Sequence, residues 1–241
     1  RTVHRRALNT EPLSPQEKAA LAAAVGDYTI RWFESLSDRL RVTLLTFSNA
    51  TLRLTMREAY FVHKEIIEWK AQFSETKIPE RALGVDAVTG NLMRWVLASW
   101  RRVQFFNHFL AGTWLPRLEL ELIPGIACGA HAVLLAGAPP RSVEDFAEVG
   151  RRLQRFWLTG TNLGIQMQPE VTPLIFSRYV RDRVEFSQTT RKLSHAAKLR
   201  RRLETLVGSD ALDRAVFMMR LGKGTPASAR SLRLPLSGSQ H

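Results

Sequence analysis

Seven of the 35 basic residues in this 241-residue chain are lysine and the rest are arginine, and the arginines nearest the two ends are the groups best suited to grip an anion. Arg1 and Arg5 open the chain in Arg1-Thr2-Val3-His4-Arg5-Arg6, while Arg230 and Arg233 stand near its end in Arg230-Ser231-Leu232-Arg233-Leu234-Pro235. A guanidinium offers a planar fork of donors that meets phosphate oxygens two at a time. Two such pairs brought together would hold a phosphate dianion. A second candidate is the stretch Pro169-Glu170-Val171-Thr172, where a chain leaving a helix can present backbone N–H groups to a ligand. Other templates are missing. The six histidines are scattered, and Cys128-x-x-His131 has no second pair to complete a tetrahedral site. There is no Gly-x-Ser-x-Gly elbow, Walker loop or Gly-x-Gly-x-x-Gly turn, and Gly222-Lys223-Gly224-Thr225 lacks the upstream glycine of a phosphate loop.

The elements that must position these groups are legible in part. Ser14-Pro15-Gln16-Glu17 supplies an N-cap, a first-turn proline and a capping-box glutamate, so a helix should run from Pro15 to Val25 and stop at Gly26. Thr55-Met56-Arg57-Glu58 starts another, carried by Tyr60, Val62, Ile66, Ile67 and Trp69 to about Phe73. Asn91 to Leu110 reads as one long helix whose aromatics, Trp95, Trp100, Phe105, Phe106 and Phe109, belong to the core. Ser142 and Asp145 open a helix that lasts to Gly164, and another spans about Thr189 to Val207, with Arg200-Arg201-Arg202 on a solvated face. Ala130–Ala136 and Arg214–Leu221 are short apolar runs of the kind that make buried strands. The fold class is α+β, dominated by helices around a small central antiparallel or mixed sheet. One domain should cover residues 1–236, with a flexible end at 237–241.

Three pieces in this order resemble the FMN-dependent nitroreductase family: the Arg-x-x-x-Arg opening followed by Glu11-Pro12-Leu13-Ser14 and a helix; Gln154-Arg155-Phe156-Trp157-Leu158-Thr159 running on to Leu163-Gly164 and the Pro169 loop; and the basic segment after the last strand. Thr55 to Tyr60 and Gly112 to Arg117 are similar to a divergent branch joined to ubiquitin-activating-type adenylation domains. The resemblance implies FMN as cofactor, with Arg1, Thr2, Val3, Arg5, Arg230 and Arg233 around its phosphate and Pro169, Glu170, Val171 and Thr172 at the flavin ring. It also implies NAD(P)H as electron donor, a small-molecule acceptor, a homodimer and a possible fused or partner adenylation domain. The chain departs from the family in having Val3 where a serine is usual, and Phe47-Ser48-Asn49-Ala50 is the nearest match to the family segment whose asparagine meets the flavin. Those departures suit an alternative: a flavin-free dimerisation or partner-binding module.

Composition narrows the setting. The formal charge is +13, and residues 178–241 hold fourteen basic against five acidic groups. Much of that excess belongs to solvated helix faces, so nucleic acid is not the expected partner. A single cysteine excludes a disulfide framework and suits a reducing, cytoplasmic compartment. No apolar run reaches the about 18 residues of a spanning helix.

Overall fold

A computed structural model describes residues 2–109 and 117–232. Helix α1 (Pro15–Val25) has the expected capping box, with Ser14 Oγ accepting from Glu17 N–H at 3.2 Å, and it ends at Gly26, φ 63°. Strand β1 (Thr29–Phe33) leads into α2 (Leu36–Leu54), and α3 (Arg57–Ile66) follows. The capping box expected at Thr55 is not formed. Its hydroxyl turns back to the carbonyls of Thr51 and Leu52, so Met56 starts α3 without a side-chain cap. The helix stops at Ile66 rather than near Phe73, because the chain becomes the short strands β2 (Ile67–Glu68), β3 (Phe73–Ser74) and β4 (Ile78–Pro79).

The long helix expected over Asn91 to Leu110 is two, α4 (Ala87–Leu97) and α5 (Trp100–Phe109). Arg102 donates to the Trp95 carbonyl at 3.1 Å, satisfying an acceptor that the break leaves without a helical donor. The hairpin that results puts Trp95 edge-on to Phe106 at 5.7 Å and leaves Trp95 and Phe105 about half exposed, so neither is core. A π-helical turn at Leu118–Leu122 leads to the short α6 (Ile123–Ile126) and β5 (Ala130–Leu135). Then come α7 (Val143–Asn162), β6 (Ile165–Pro169), α8 (Thr172–Arg181), α9 (Thr190–Val207), the single turn α10 (Ser209–Leu212), β7 (Ala215–Lys223) and β8 (Arg230–Ser231). No helix among the described residues is long and apolar enough to cross a membrane.

The main sheet has the order β1-β5-β7-β6 with every neighbouring pair antiparallel. Strands alternate their side chains between faces, and both faces here are covered by helices. Ala132, Leu134, Met219 and Leu221 pack with Leu21 and Val25 of α1 and with Phe156 and Trp157 of α7. On the other face Val133 and Met218 pack with Val42, Leu45 and Leu52 of α2 and with Leu199, Leu203 and Val207 of α9. Continuous apolar runs are what strands covered on both faces require. The same alternation puts His131 of β5, Arg220 of β7 and Gln168 of β6 on the α2 face.

The N-terminal segment lies as a strap across the ends of the strands. Val3 forms a parallel bridge to Met167, His4 N–H donates to the Met167 carbonyl at 2.9 Å, and Asn9 N–H to Lys223 O at 2.8 Å. Gly222 permits this approach: a β-carbon there would lie 2.8 Å from Gly129 N and 3.1 Å from Asn9 O, both backbone atoms. Gly222→Ala is expected to lower stability by about 1–3 kcal/mol, measured by denaturant unfolding. Gly150→Ala, on α7 where an added methyl meets nothing within 4 Å, should instead gain about 0.5–1 kcal/mol.

Candidate functional site

The strap delivers Arg5 to the place where three hollows share a wall. One is a polar pocket of about 70 Å³ whose lining includes Arg5, Asn49, Arg53, Glu121, Glu170 and Arg220. The second is an apolar cavity of about 300 Å³ beneath α3 and α4. The third is a cleft of about 300 Å³ in which Thr2, Val3 and Arg5 meet Arg230, close to Ile78 and Trp157. Arg230 is held there because β8 pairs in parallel with β3, Arg230 opposite Phe73.

The floor of the polar pocket is a buried charge network. His131 and Arg220 face one another in the β5–β7 register and are 0% and 1% exposed. His131 Nδ1 donates to Glu170 Oε2 at 2.7 Å and its Nε2 donates to the Gly125 carbonyl at 2.8 Å. Both partners are acceptors, so the ring carries both protons. Burial alone would lower the His131 pKa, but the Glu170 carboxylate, aided by Cys128, overrides it and raises the pKa from 6.5 to about 10. Arg220 Nη2 donates to the Arg5 carbonyl at 2.6 Å, tying the strap to the sheet. Burial lowers the Arg220 pKa, with Glu170 and Glu121 opposing.

Above this floor the positive charge is under-compensated. Arg53 Nη2 lies 3.4 Å from Glu121 Oε1, and burial first of all pushes the Glu121 carboxyl up towards its neutral form. The Arg5 guanidinium makes no hydrogen bond or ion pair with the described residues, and burial followed by repulsion from Arg53 lowers its pKa. Among the described residues, Arg5, Arg53, Arg220 and protonated His131 thus face only Glu121 and Glu170. Asn49 lies on the buried face of α2, 1% exposed, with neither its amide oxygen nor its amide nitrogen partnered. Gln168 Oε1 and Arg220 Nε are also buried without partners. Buried polar atoms are normally satisfied, and leaving one unpaired costs about 1–3 kcal/mol. Unused donors, two unused acceptors and excess cationic charge in one hollow describe the complement of a polar, anionic ligand. No group of three metal-ligating side chains occurs among the described residues.

The expected site residues are gathered unevenly. Thr2, Val3, Arg5 and Arg230 line the cleft, while Pro169, Glu170 and Thr172 line the polar pocket with Arg5. Arg1 and Arg233 lie outside the described residues, as does Gly112–Pro116. Val171 lines neither hollow and forms the N-cap of α8. The stretch Pro169 to Thr172 is less of a loop than expected: Pro169 ends β6 and Thr172 starts α8. Glu170 N–H is spent on the Met218 carbonyl at 2.7 Å, so this group has no proton left to offer a ligand. Sequence reasoning missed His131, Arg220, Arg53 and Glu121 as site residues. A histidine inside Ala130-His131-Ala132-Val133 and an arginine inside Met218-Met219-Arg220-Leu221 are the signals that could have found the first two.

No protein-family model matches the chain, and no curated protein matches its sequence. Among solved structures, the FMN-dependent nitroreductase NfnB from Mycobacterium smegmatis, in complex with NADPH, is similar over 100% of this chain and 93% of its own, with a TM-score of 0.50 and 17% identity. The fold is therefore nitroreductase-like, α+β and helix-dominated around a small sheet, as the sequence suggested.

The raised His131 pKa carries a pH dependence. The imidazolium form is stabilised in the native state, so its contribution is complete below pH 6.5 and disappears as pH rises through about 10. The melting temperature should fall across that interval. Glu170→Gln should cost about 3–5 kcal/mol at neutral pH by breaking a buried pair and should flatten the fall; an unchanged slope would show that another group titrates.

Proposed function

We propose that the chain is an FMN-dependent oxidoreductase that takes electrons from NAD(P)H and delivers them to a small-molecule acceptor. The observation that carries this reading is the set of groups around Arg5 left open among the described residues: a buried Asn49 amide with no partner, an Arg5 guanidinium without a hydrogen bond or close ion pair, and a cleft in which the first residues of the chain meet Arg230. The residues present fit the cofactor. Thr2, Val3, Arg5 and Arg230, with Arg1 and Arg233 from the same two segments, would hold the phosphate by charge-assisted hydrogen bonds. Asn49 and Arg53 would pair with polar atoms of the ring, and Thr172 and Val171 retain the backbone positions that Glu170 has given to the sheet. Bound flavin would supply two-electron chemistry, accepting hydride from a nicotinamide and passing electrons on. The excess positive charge of Arg5, Arg53 and Arg220 would favour a ligand that gains negative charge on reduction.

The reading extends to assembly. Leu36, Leu40 and Leu44 recur every four residues along α2 and are 63%, 41% and 51% exposed, an apolar stripe that fits a homodimer. We place the protein in a reducing, cytoplasmic setting, as one domain over residues 1–236 that belongs to the divergent branch associated with adenylation domains. A flavin-free partner-binding module of the same fold is the second reading. Val3 in the opening motif and the commitment of Glu170 N–H to Met218 favour it.

Titrating the purified protein with FMN separates the two. Saturable binding that perturbs the flavin spectrum is expected, weakened at least tenfold in Arg230→Ala; a colourless protein that leaves added FMN unperturbed overturns the enzyme reading. Asn49→Leu should behave in a characteristic way: ligand-free stability rises by about 1–3 kcal/mol because an unpaired buried amide is removed, while FMN affinity falls. Thermal unfolding with and without FMN reads both effects.

A further inference from the structure

The cavity beneath α3 and α4 has a chemistry of its own. Its wall is apolar, built from Ile66, Ile67, Leu92, Met93, Val96 and their neighbours, and Val62 and Ile66 are exposed by 57% and 38%. The hollow opens partly to solvent, and its volume of about 300 Å³ sits at the small end of ligand pockets, about 300–1,000 Å³. Three groups interrupt the apolar wall: Arg5, Arg53 and His63. Arg5 has no ion pair among the described residues, and Arg53 meets Glu121 through Nη2 at 3.4 Å while its Nε is buried without a partner among them. His63 is neutral at physiological pH, its pKa lowered to about 4 by burial first and then by Arg53 and Arg5. It therefore adds no third cation.

Two guanidiniums that share a single carboxylate, Glu121, at one end of an apolar hollow select a molecule with the opposite arrangement. We propose that this cavity binds a medium-chain aliphatic carboxylate, its head between Arg5 and Arg53 and its tail among Ile66, Leu92, Met93 and Val96. The two guanidiniums replace the water lost by the carboxylate, and the tail gains from leaving water in proportion to its buried area. The assignment goes beyond the flavin reading and stands without it, although Arg5 and Arg53 border both sites.

Isothermal titration of flavin-free protein with hexanoate, octanoate and decanoate tests the assignment. One-to-one binding is expected, tightening about fourfold per methylene. Octanamide, which keeps the tail and loses the charge, should bind at least tenfold more weakly than octanoate, as should octanoate to Arg53→Met. Val96→Trp, which fills the cavity, should abolish binding. Absence of saturable heat, equal affinity for acid and amide, or unchanged binding by Val96→Trp would each overturn the proposal. The acid–amide comparison uses the unaltered protein and decides the matter if a variant does not fold. FMN titrated in parallel keeps the two readings apart: octanoate binding without FMN binding removes only the flavin reading, and the reverse removes only this one.

Discussion

A cluster of charge buried on one face of a four-stranded sheet constrains the rest of this molecule. His131 and Arg220 stand side by side on β5 and β7 with essentially no exposure, where an uncompensated cation would cost several kcal/mol. Glu170 must therefore sit at the exit of β6, and the Gly125 carbonyl must turn towards the ring. Arg220 in turn captures the Arg5 carbonyl, so the N-terminal strap is fastened to the centre of the sheet rather than lying loosely on its edge. The position of Arg5, and with it the three hollows, follows from neutralising charge that the sheet has already buried.

The compensation is deliberate below and incomplete above. On the floor each His131 nitrogen has its acceptor. One layer up, Asn49, Gln168 and the Arg220 Nε have none, and Arg5 makes no close ion pair among the described residues, although the Glu121 charge acts on it. The rest of the sheet is packed with apolar side chains on both faces; five buried atoms without a partner among the described residues, on Asn49, Arg53, Gln168 and Arg220, line the polar pocket, while others, on His4, Glu34 and Arg39, lie elsewhere. A fold that gathers several open polar groups in one hollow has traded stability for a binding surface. This is the physical basis for reading the region as a ligand site, independently of the 17% identity to a nitroreductase of known structure, which speaks for the fold alone.

The arginines that gave the chain its high positive charge have divided into several kinds of work. Arg39 is nearly buried and donates to the carbonyls of Thr10 and Cys128. Arg152 joins α7 to the end of α1 through Val25 O and Asp27. Arg200 reaches back to Ser177 at 2.8 Å, so of the three adjacent arginines only Arg201 and Arg202 lie on the solvated face expected for all of them. Arg102 and Arg117 lie against the rings of Trp95 and Phe47. Net charge describes none of these roles, because each depends on which carbonyl, carboxylate or ring the fold brings within reach.

Local signals in the sequence determined the elements with strong punctuation. Ser14 and Ser142 with their capping partners, Gly26 and Gly208 as stops, and the apolar runs that became β5 and β7 could all be read from a few adjacent residues, since capping and strand burial are settled within one turn or one alternation. The sequence also singled out Arg5, Arg230 and the Pro169 segment as residues of interest. Tertiary structure decided what no local pattern contains. The break between α4 and α5 opens the Trp95 carbonyl to Arg102 of the next helix. Strand β1, strand β6 and helix α2 show themselves only against the layers that cover them, and α2 carries Asn49 on its buried face. The pairing of His131 with Glu170, 39 positions apart, and of Arg220 with the Arg5 carbonyl, 215 apart, arises from strand order and register, which are set by the packing of two cores on one sheet.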